Sequence, residues 1–392
     1  MLNRKIRFVM VLTSALMVAA ITFGVLLSQV DEREDIYKKL DIFIEVMSHI
    51  RSDYVEPVRT TMIFDGALKG MARMLDSESS YLTAEEYHQY QEELPKRVAS
   101  TGIEVVKNPL NGYAQVVFIR PESPADSSGV FVGDLIRAVD EQSTRELPIM
   151  MIELLMRGEP GSSASFSIVR ANMRQFLTFD VERKILPQRK VSWEKKDGAG
   201  YIHIPSFDLG TLEAVQSAVN EFKAESISDL IIDIRGNLGG NLEEAVHVAD
   251  LFIKEGLLVS LKTKQSSTEY TADEFAYDFN IYLLCDESTG RAAEFFAAAL
   301  SAQDFVEVVG RNTLGIGTIQ KSLELEEGAL LNISYARVLG PGDLDISASG
   351  IGPDHEVPKT TGEKESDEIL GKALELVRNA DTTQQLALSL AS

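Results

Sequence analysis

The rhythm of apolar positions changes along this chain, and each change marks a boundary. A nearly unbroken apolar run from Phe8 to about Leu27 has the length of a bilayer-spanning helix. From Ile36 to about Leu94, segments such as YKKLDIFIEVMSHI and AEEYHQYQEEL place apolar residues three and four apart, the period of a helix. Thr101 to about Leu186 then alternates short β-rich runs (IEVV, AQVVFI, SASFSIV, FLTFDVE) with turn residues and one helical stretch, PIMMIELLM, which predicts a small β domain. Beyond Val191 the fully apolar strands DLIIDI and IYLLC alternate with the amphipathic helices LEAVQSAVNEFKA, LEEAVHVADLFIKE and AAEFFAAALSA. That alternation predicts a mostly parallel sheet covered on both faces. Strand-like segments return from VEVVG to ALLNISYARVL, and a tail from Glu363 carries one amphipathic helix, DEILGKALELVRNA, before an uncharged end.

The expected organisation is a multidomain α/β protein: an anchor over residues 1–30, a helical unit over 31–97, a β domain over 98–187, an α/β core over 188–360, and a helix with tail over 361–392. Charge narrows the partners. With 38 basic and 60 acidic residues the net charge is -22, which disfavours nucleic acid and anionic membrane surfaces and leaves a protein or peptide as partner. The N-terminal run follows the basic MLNRKIR and precedes the acidic DEREDIY. By the positive-inside rule this predicts a single-pass inner-membrane anchor with everything from Asp31 in the periplasm or another extracytoplasmic space. A cleaved signal peptide is the alternative, and either reading exports the body.

Candidate chemistry from residue type alone is sparse. Cys285 is the only cysteine, so no internal disulfide can form, and its place at the end of IYLLC predicts a buried strand residue. The histidines are scattered, with His247 on a helix, and no H-E-x-x-H or Cys/His cluster calls for a metal or cofactor.

In order along the chain, GALKGMARMLDSESSYLTAEEY, TGIEVV, SPADSSGVFVGDLI, MRGEPGSSASFSIVR, GYIHIPSF, IIDIRGNLGG, AEFFAAAL, VVGRNTLGIGTIQ and GIGPD together resemble the carboxyl-terminal processing peptidases, also called tail-specific proteases. The resemblance runs from about Asp35 to Pro358. It implies a PDZ domain in the middle, which captures a peptide's carboxyl end by strand addition, with Gly102, Ile103 and Glu104 closing the carboxylate loop. Ser100 and Thr101 stand there in place of the family's Gly and Ile. It also implies a peptidase core of the ClpP/crotonase type, using a serine nucleophile and a lysine kept neutral by desolvation.

The family's serine lies three positions before a glutamate, and its lysine sits between two glycines, four positions before a glutamine that orients it. In TGRAAEF, with Glu294 as that glutamate, the serine position falls on Arg291; in LGIGTIQ the lysine position falls on Ile316 and the glutamine on Gln320. Isoleucine has no lone pair to accept a proton, and arginine stays protonated and cannot act as an acyl acceptor. What the resemblance retains is Gln320, the glycine pair Gly239–Gly240 of an oxyanion loop, and the backbone N–H of Ala292 as the second oxyanion donor. Two further departures accompany these: Ser77–Glu78 replace the family's Pro-His, and Gly236 and Leu238 replace its Asn and Pro.

The expectation is therefore a pseudopeptidase that binds protein C-termini or regulates a partner, with Arg291 as a receptor for a carboxylate or as a solvated side chain at the cleft mouth. Two other readings stay open. A displaced pair, Ser288 and Lys321, would make the chain an active serine-type endopeptidase. Pairing through the helical unit would make it a homo-oligomer or the regulatory subunit of an active paralogue.

Overall fold

The computed structural model describes residues 37–171, 173, 175–359 and 367–391, together with Thr13 and Met17. The anchor expected over 1–30 thus lies outside the described residues but for those two, and no helix among the described residues is long and apolar enough to cross a membrane. The chain divides into two compact units after Met71. The first holds a helix over residues 37–53 and most of the helix Thr60–Arg73; Phe43 and Phe64 meet edge to face between them.

The helical unit ends earlier than the period suggested. Residues 72–97 belong to the larger unit, because Tyr81 and Leu82 are buried in a short strand, Ser80–Leu82, that pairs antiparallel with Leu330–Gly340. The helix Ala84–Glu93 follows, started by a capping box in which the Thr83 hydroxyl and the Glu86 carboxylate satisfy each other's backbone N–H groups.

The middle segment is an antiparallel sheet in the order Ile103–Lys107, Ala114–Ile119, Leu135–Val139, Ser163–Val169, Leu177–Glu182. Its alternating positions bury Val105, Val116, Ile136, Phe166 and Ile168 against Ile152 and Met156 of the helix Ile149–Met156. Ile103–Lys107 ends the sheet, so its outer edge has no strand partner among the described residues.

The core sheet runs Ser192–Lys196, Ala199–His203, Asp229–Asp233, Asn280–Cys285, Val306–Gly310, His355–Glu356, with every pair after the first parallel. Both faces are covered, as the continuous apolar strands require. Leu230, Ile232, Ile281 and Leu283 face the helices Thr211–Ala224, Leu242–Asp250 and Ala292–Ser301, whereas Ile231, Tyr282, Leu284 and Val309 face Ile369, Ala373 and Val377. The last three lie on the helix Glu368–Ala391, which continues through the uncharged segment where a helix end was expected. After Gly371 no glycine or proline interrupts it.

Candidate active site

The strand Asn280–Cys285 leads through a short turn into the helix Ala292–Ser301, and Arg291 makes the corner with φ 53° and ψ -122°. A side chain in the left-handed region costs on the order of 1–3 kcal/mol. The corner is fixed by Glu294, whose carboxylate is fully buried and accepts from the N–H of Arg291 (3.0 Å), the N–H of Ile316 (2.8 Å), the hydroxyl of Thr313 (2.6 Å) and the N–H of Gly315. Burial pushes this carboxyl up despite those donors. One glutamate oxygen, Oε2, therefore accepts from the backbone N–H groups of both Arg291 and Ile316 and ties the two loops together.

The glycine loop stands beside them. A Cβ on Gly239 would lie 2.9 Å from the Arg291 Cβ and 3.3 Å from the Ala292 nitrogen, and one on Gly240 would lie 2.5 Å from the Phe207 carbonyl oxygen; both glycines have positive φ. As the first residue of its helix, Ala292 has no intrahelical acceptor for its N–H. The Gly239 N–H is already given to Asn237 Oδ1 at 2.9 Å.

Arg291 extends from this corner to Glu78, with Nη2 2.8 Å from the carboxylate; its Nη1 makes only a long contact, 3.5 Å, with the Leu238 carbonyl. Glu78 is 8% exposed and Arg291 24%. Burial pulls the guanidinium pKa down, but Glu78, with Glu153 and Glu294, outweighs it and the net direction is up. Glu78 is itself held in place: its N–H and that of Ser79 donate to Asp76 Oδ1, and Asn332 Nδ2 donates to its carbonyl at 3.3 Å. The two sequence departures at Glu78 and Arg291 are thus the two ends of one ion pair. Opposite charges appearing together at two positions of one family pattern were the signal for it.

Two cavities meet this pair. One of about 430 Å³ is lined by Gly102, Ile103, Glu104, Arg157, Glu153 and Arg291, so it brings the loop and free edge of the middle sheet to the nucleophile position. Within it the Ser100 hydroxyl takes the Gly102 N–H at 3.2 Å and the Thr101 hydroxyl lies 3.5 Å from the Ile103 N–H: the two side chains that replace the family's Gly and Ile turn toward the loop's own donors. Glu104 pairs with Arg189 at 3.1 Å, while burial pushes its carboxyl up. The other cavity, about 680 Å³, is lined by Ile316, Leu314, Glu78 and Lys107 among others.

The remaining sequence candidates fall elsewhere. Gln320 donates to the Thr318 hydroxyl at 3.0 Å and the Ser334 hydroxyl at 3.4 Å, both within its own sheet. Ser288 is buried, donating to Asp286 and accepting from the Gly236 N–H at 2.7 Å, whereas Lys321 is exposed on the strand Thr318–Glu324. The structure does not bring that displaced pair together. Cys285 is buried in its strand, which pushes the thiol up, and His247 is on the helix surface.

Residues 198–357 match peptidase family S41. A CtpA-like serine protease of Staphylococcus haemolyticus is 28% identical over 335 residues, covering 83% of this chain and 66% of that protein, just under two thirds of its length. The carboxy-terminal processing protease CtpA of Bacillus subtilis is 28% identical over 80% of this chain and 68% of its own length. Among solved structures, a photosystem II D1 C-terminal processing protease superposes with a TM-score of 0.69 over 79% of this chain and 85% of that one; at 23% identity the likeness is one of fold. The segments that resembled the carboxyl-terminal processing peptidases are thus matched by sequence and by fold, and it is residues 198–357 that carry the similarity to peptidase family S41.

Proposed function

We propose that this chain is a pseudopeptidase: it binds the carboxyl ends of proteins in the cleft of a processing peptidase and does not cut them. The observation that carries this reading is the Arg291–Glu78 ion pair at the position the resemblance gives to the nucleophile, with Ile316, at the position it gives to the base, lining the same cavity as Glu78. Neither side chain can attack a carbonyl or remove a proton. The middle sheet serves as the PDZ domain of the reading. Its free edge at Ile103–Lys107 offers backbone groups to an extended peptide, and Arg291 supplies a cation for the terminal carboxylate. Anchoring in the inner membrane with a periplasmic body, and pairing with a second copy or an active paralogue, belong to the same proposal and rest on the N-terminal sequence pattern.

Incubation of the purified chain with unstructured proteins and with peptides ending in apolar residues tests it. The expected results are binding without cleavage and no labelling by fluorophosphonate, which reacts with activated serines. Cleavage that disappears on Ser288→Ala would overturn the proposal.

A further inference from the structure

We infer that Glu78 is an internal competitor for the ligand's carboxylate: it occupies Arg291 in the free protein and lowers the affinity of the cleft for peptide C-termini. This rests on the C-terminus-binding reading above and gives that site a built-in restraint. The guanidinium has five N–H donors in a planar fork, yet Glu78 engages it through a single contact of 2.8 Å and the Leu238 carbonyl lies at 3.5 Å. The remaining donors belong to a side chain that is 24% exposed and lines the cavity shared with Gly102 and Ile103.

A peptide added along Ile103–Lys107 finds the loop donors turned to Ser100 and Thr101, so its carboxylate needs a cation. Arg120 and Arg157 line the cavity too, but Arg291 is the cation fixed at the corner beside the glycine loop. Glu78 already neutralises that cation, and it is anchored by the Asp76 turn and by Asn332. An incoming carboxylate must either share the fork with a like charge or displace it, and both weaken binding. Glu104 and Glu153 on the same wall add repulsion but do not touch the guanidinium.

Fluorescence anisotropy of a labelled peptide ending in Leu-Val, as free acid and as amide, tests the inference on the full chain and on Glu78→Gln, Arg291→Gln and the double variant. Glutamine at 78 keeps an acceptor for Arg291 and removes only the charge, so the acid peptide should bind about tenfold more tightly, the scale of one charged hydrogen bond, with the amide unchanged. Arg291→Gln should erase the difference between acid and amide. The double variant, which leaves no charge stranded, should behave like Arg291→Gln. Unchanged or weaker acid binding in Glu78→Gln, with the acid preference still lost in Arg291→Gln, would overturn the role of Glu78 and leave the binding reading standing. Equal binding of acid and amide by the wild type and by Glu78→Gln would overturn both.

Discussion

Reinstalling the dyad alone should fail, and Glu78 is the reason. Arg291→Ser with Ile316→Lys restores a hydroxyl and an amine, but it removes the partner of a carboxylate that is only 8% exposed. A stranded buried charge costs about 3–5 kcal/mol, so Glu78 will take the nearest cation. The lysine at 316 enters the cavity that Glu78 lines. An opposite charge at short range holds a lysine at or above its ordinary pKa of about 10.4. At pH 8 the neutral fraction is then about 1 in 250, and the general base is effectively absent. Adding Glu78→Gln removes that counter-charge, and burial then acts alone to lower the lysine. A fall to about 8 would make half of it neutral, a gain of about a hundredfold in competent enzyme. Cleavage of an unstructured protein with an apolar C-terminus, followed at pH 8 with enzyme in excess, compares the double and triple variants. Unfolding monitored by Trp193, the single tryptophan, verifies that both are folded. A double variant as fast as the triple refutes the charge argument. A folded triple variant without cleavage refutes the retention of a working oxyanion site, and the Gly239 N–H held by Asn237 becomes the place to look.

Arg291→Ala should lower stability in urea by about 3–5 kcal/mol, whereas Glu78→Gln with Arg291→Gln should stay within about 1 kcal/mol of wild type; equal losses would mean that the pair is not coupled. Glu294→Gln replaces an acceptor of four hydrogen bonds with a group that offers one oxygen and two donors. It should cost about 2–4 kcal/mol and speed amide exchange at Gly315 and Ile316 relative to the core strands; unchanged exchange there would refute the clamp. For Glu287, burial raises the carboxyl pKa, but Arg311 and Lys359 outweigh it and hold the group at about 2. A depressed carboxyl stabilises above its unfolded value of about 4.3 and loses that contribution as pH falls through about 2. The stability gap between wild type and Glu287→Gln should therefore be about 1–2 kcal/mol above pH 5, after allowing for solvent screening, and should close by pH 2; a gap that does not change with pH would refute the assignment.

The parallel core was legible because its strands DLIIDI and IYLLC are apolar on both faces, a pattern that only a covered sheet satisfies. Motif spacing singled out Arg291, Glu294 and Ile316, and Glu294 accepts from the N–H groups of the other two. What the sequence did not reveal depended on contacts between distant segments. Residues 72–97 read as helical, yet Tyr81 and Leu82 are claimed by a strand some 250 residues away in the chain, Leu330–Gly340; local period cannot report such pairing. Ser77–Glu78 registered only as a departure from a pattern, since its meaning lies in the 2.8 Å contact with Arg291. Gln320 was picked out by motif spacing alone, which does not report that its amide hydrogen-bonds Thr318 and Ser334 within its own sheet.

The pairing of Glu78 with Arg291 bears on whether this cleft has been rebuilt or has merely lost its chemistry. A guanidinium placed alone at a left-handed corner would add an unpaired charge to the strain already stored in the backbone. Here the charge is matched, the matching carboxylate is fixed by its own turn at Asp76, and the corner N–H is held by Glu294. A solvated arginine would need none of these supports, because water would satisfy it. Fixing a long side chain costs on the order of 2 kcal/mol of conformational freedom, which an exposed ion pair, worth about 0–1 kcal/mol, does not offset. The pair is instead partly buried, with Glu78 8% and Arg291 24% exposed, and withdrawal from water strengthens the contact relative to an exposed one. On the function proposed above, a site arranged in this way holds a chain end and does not cut it.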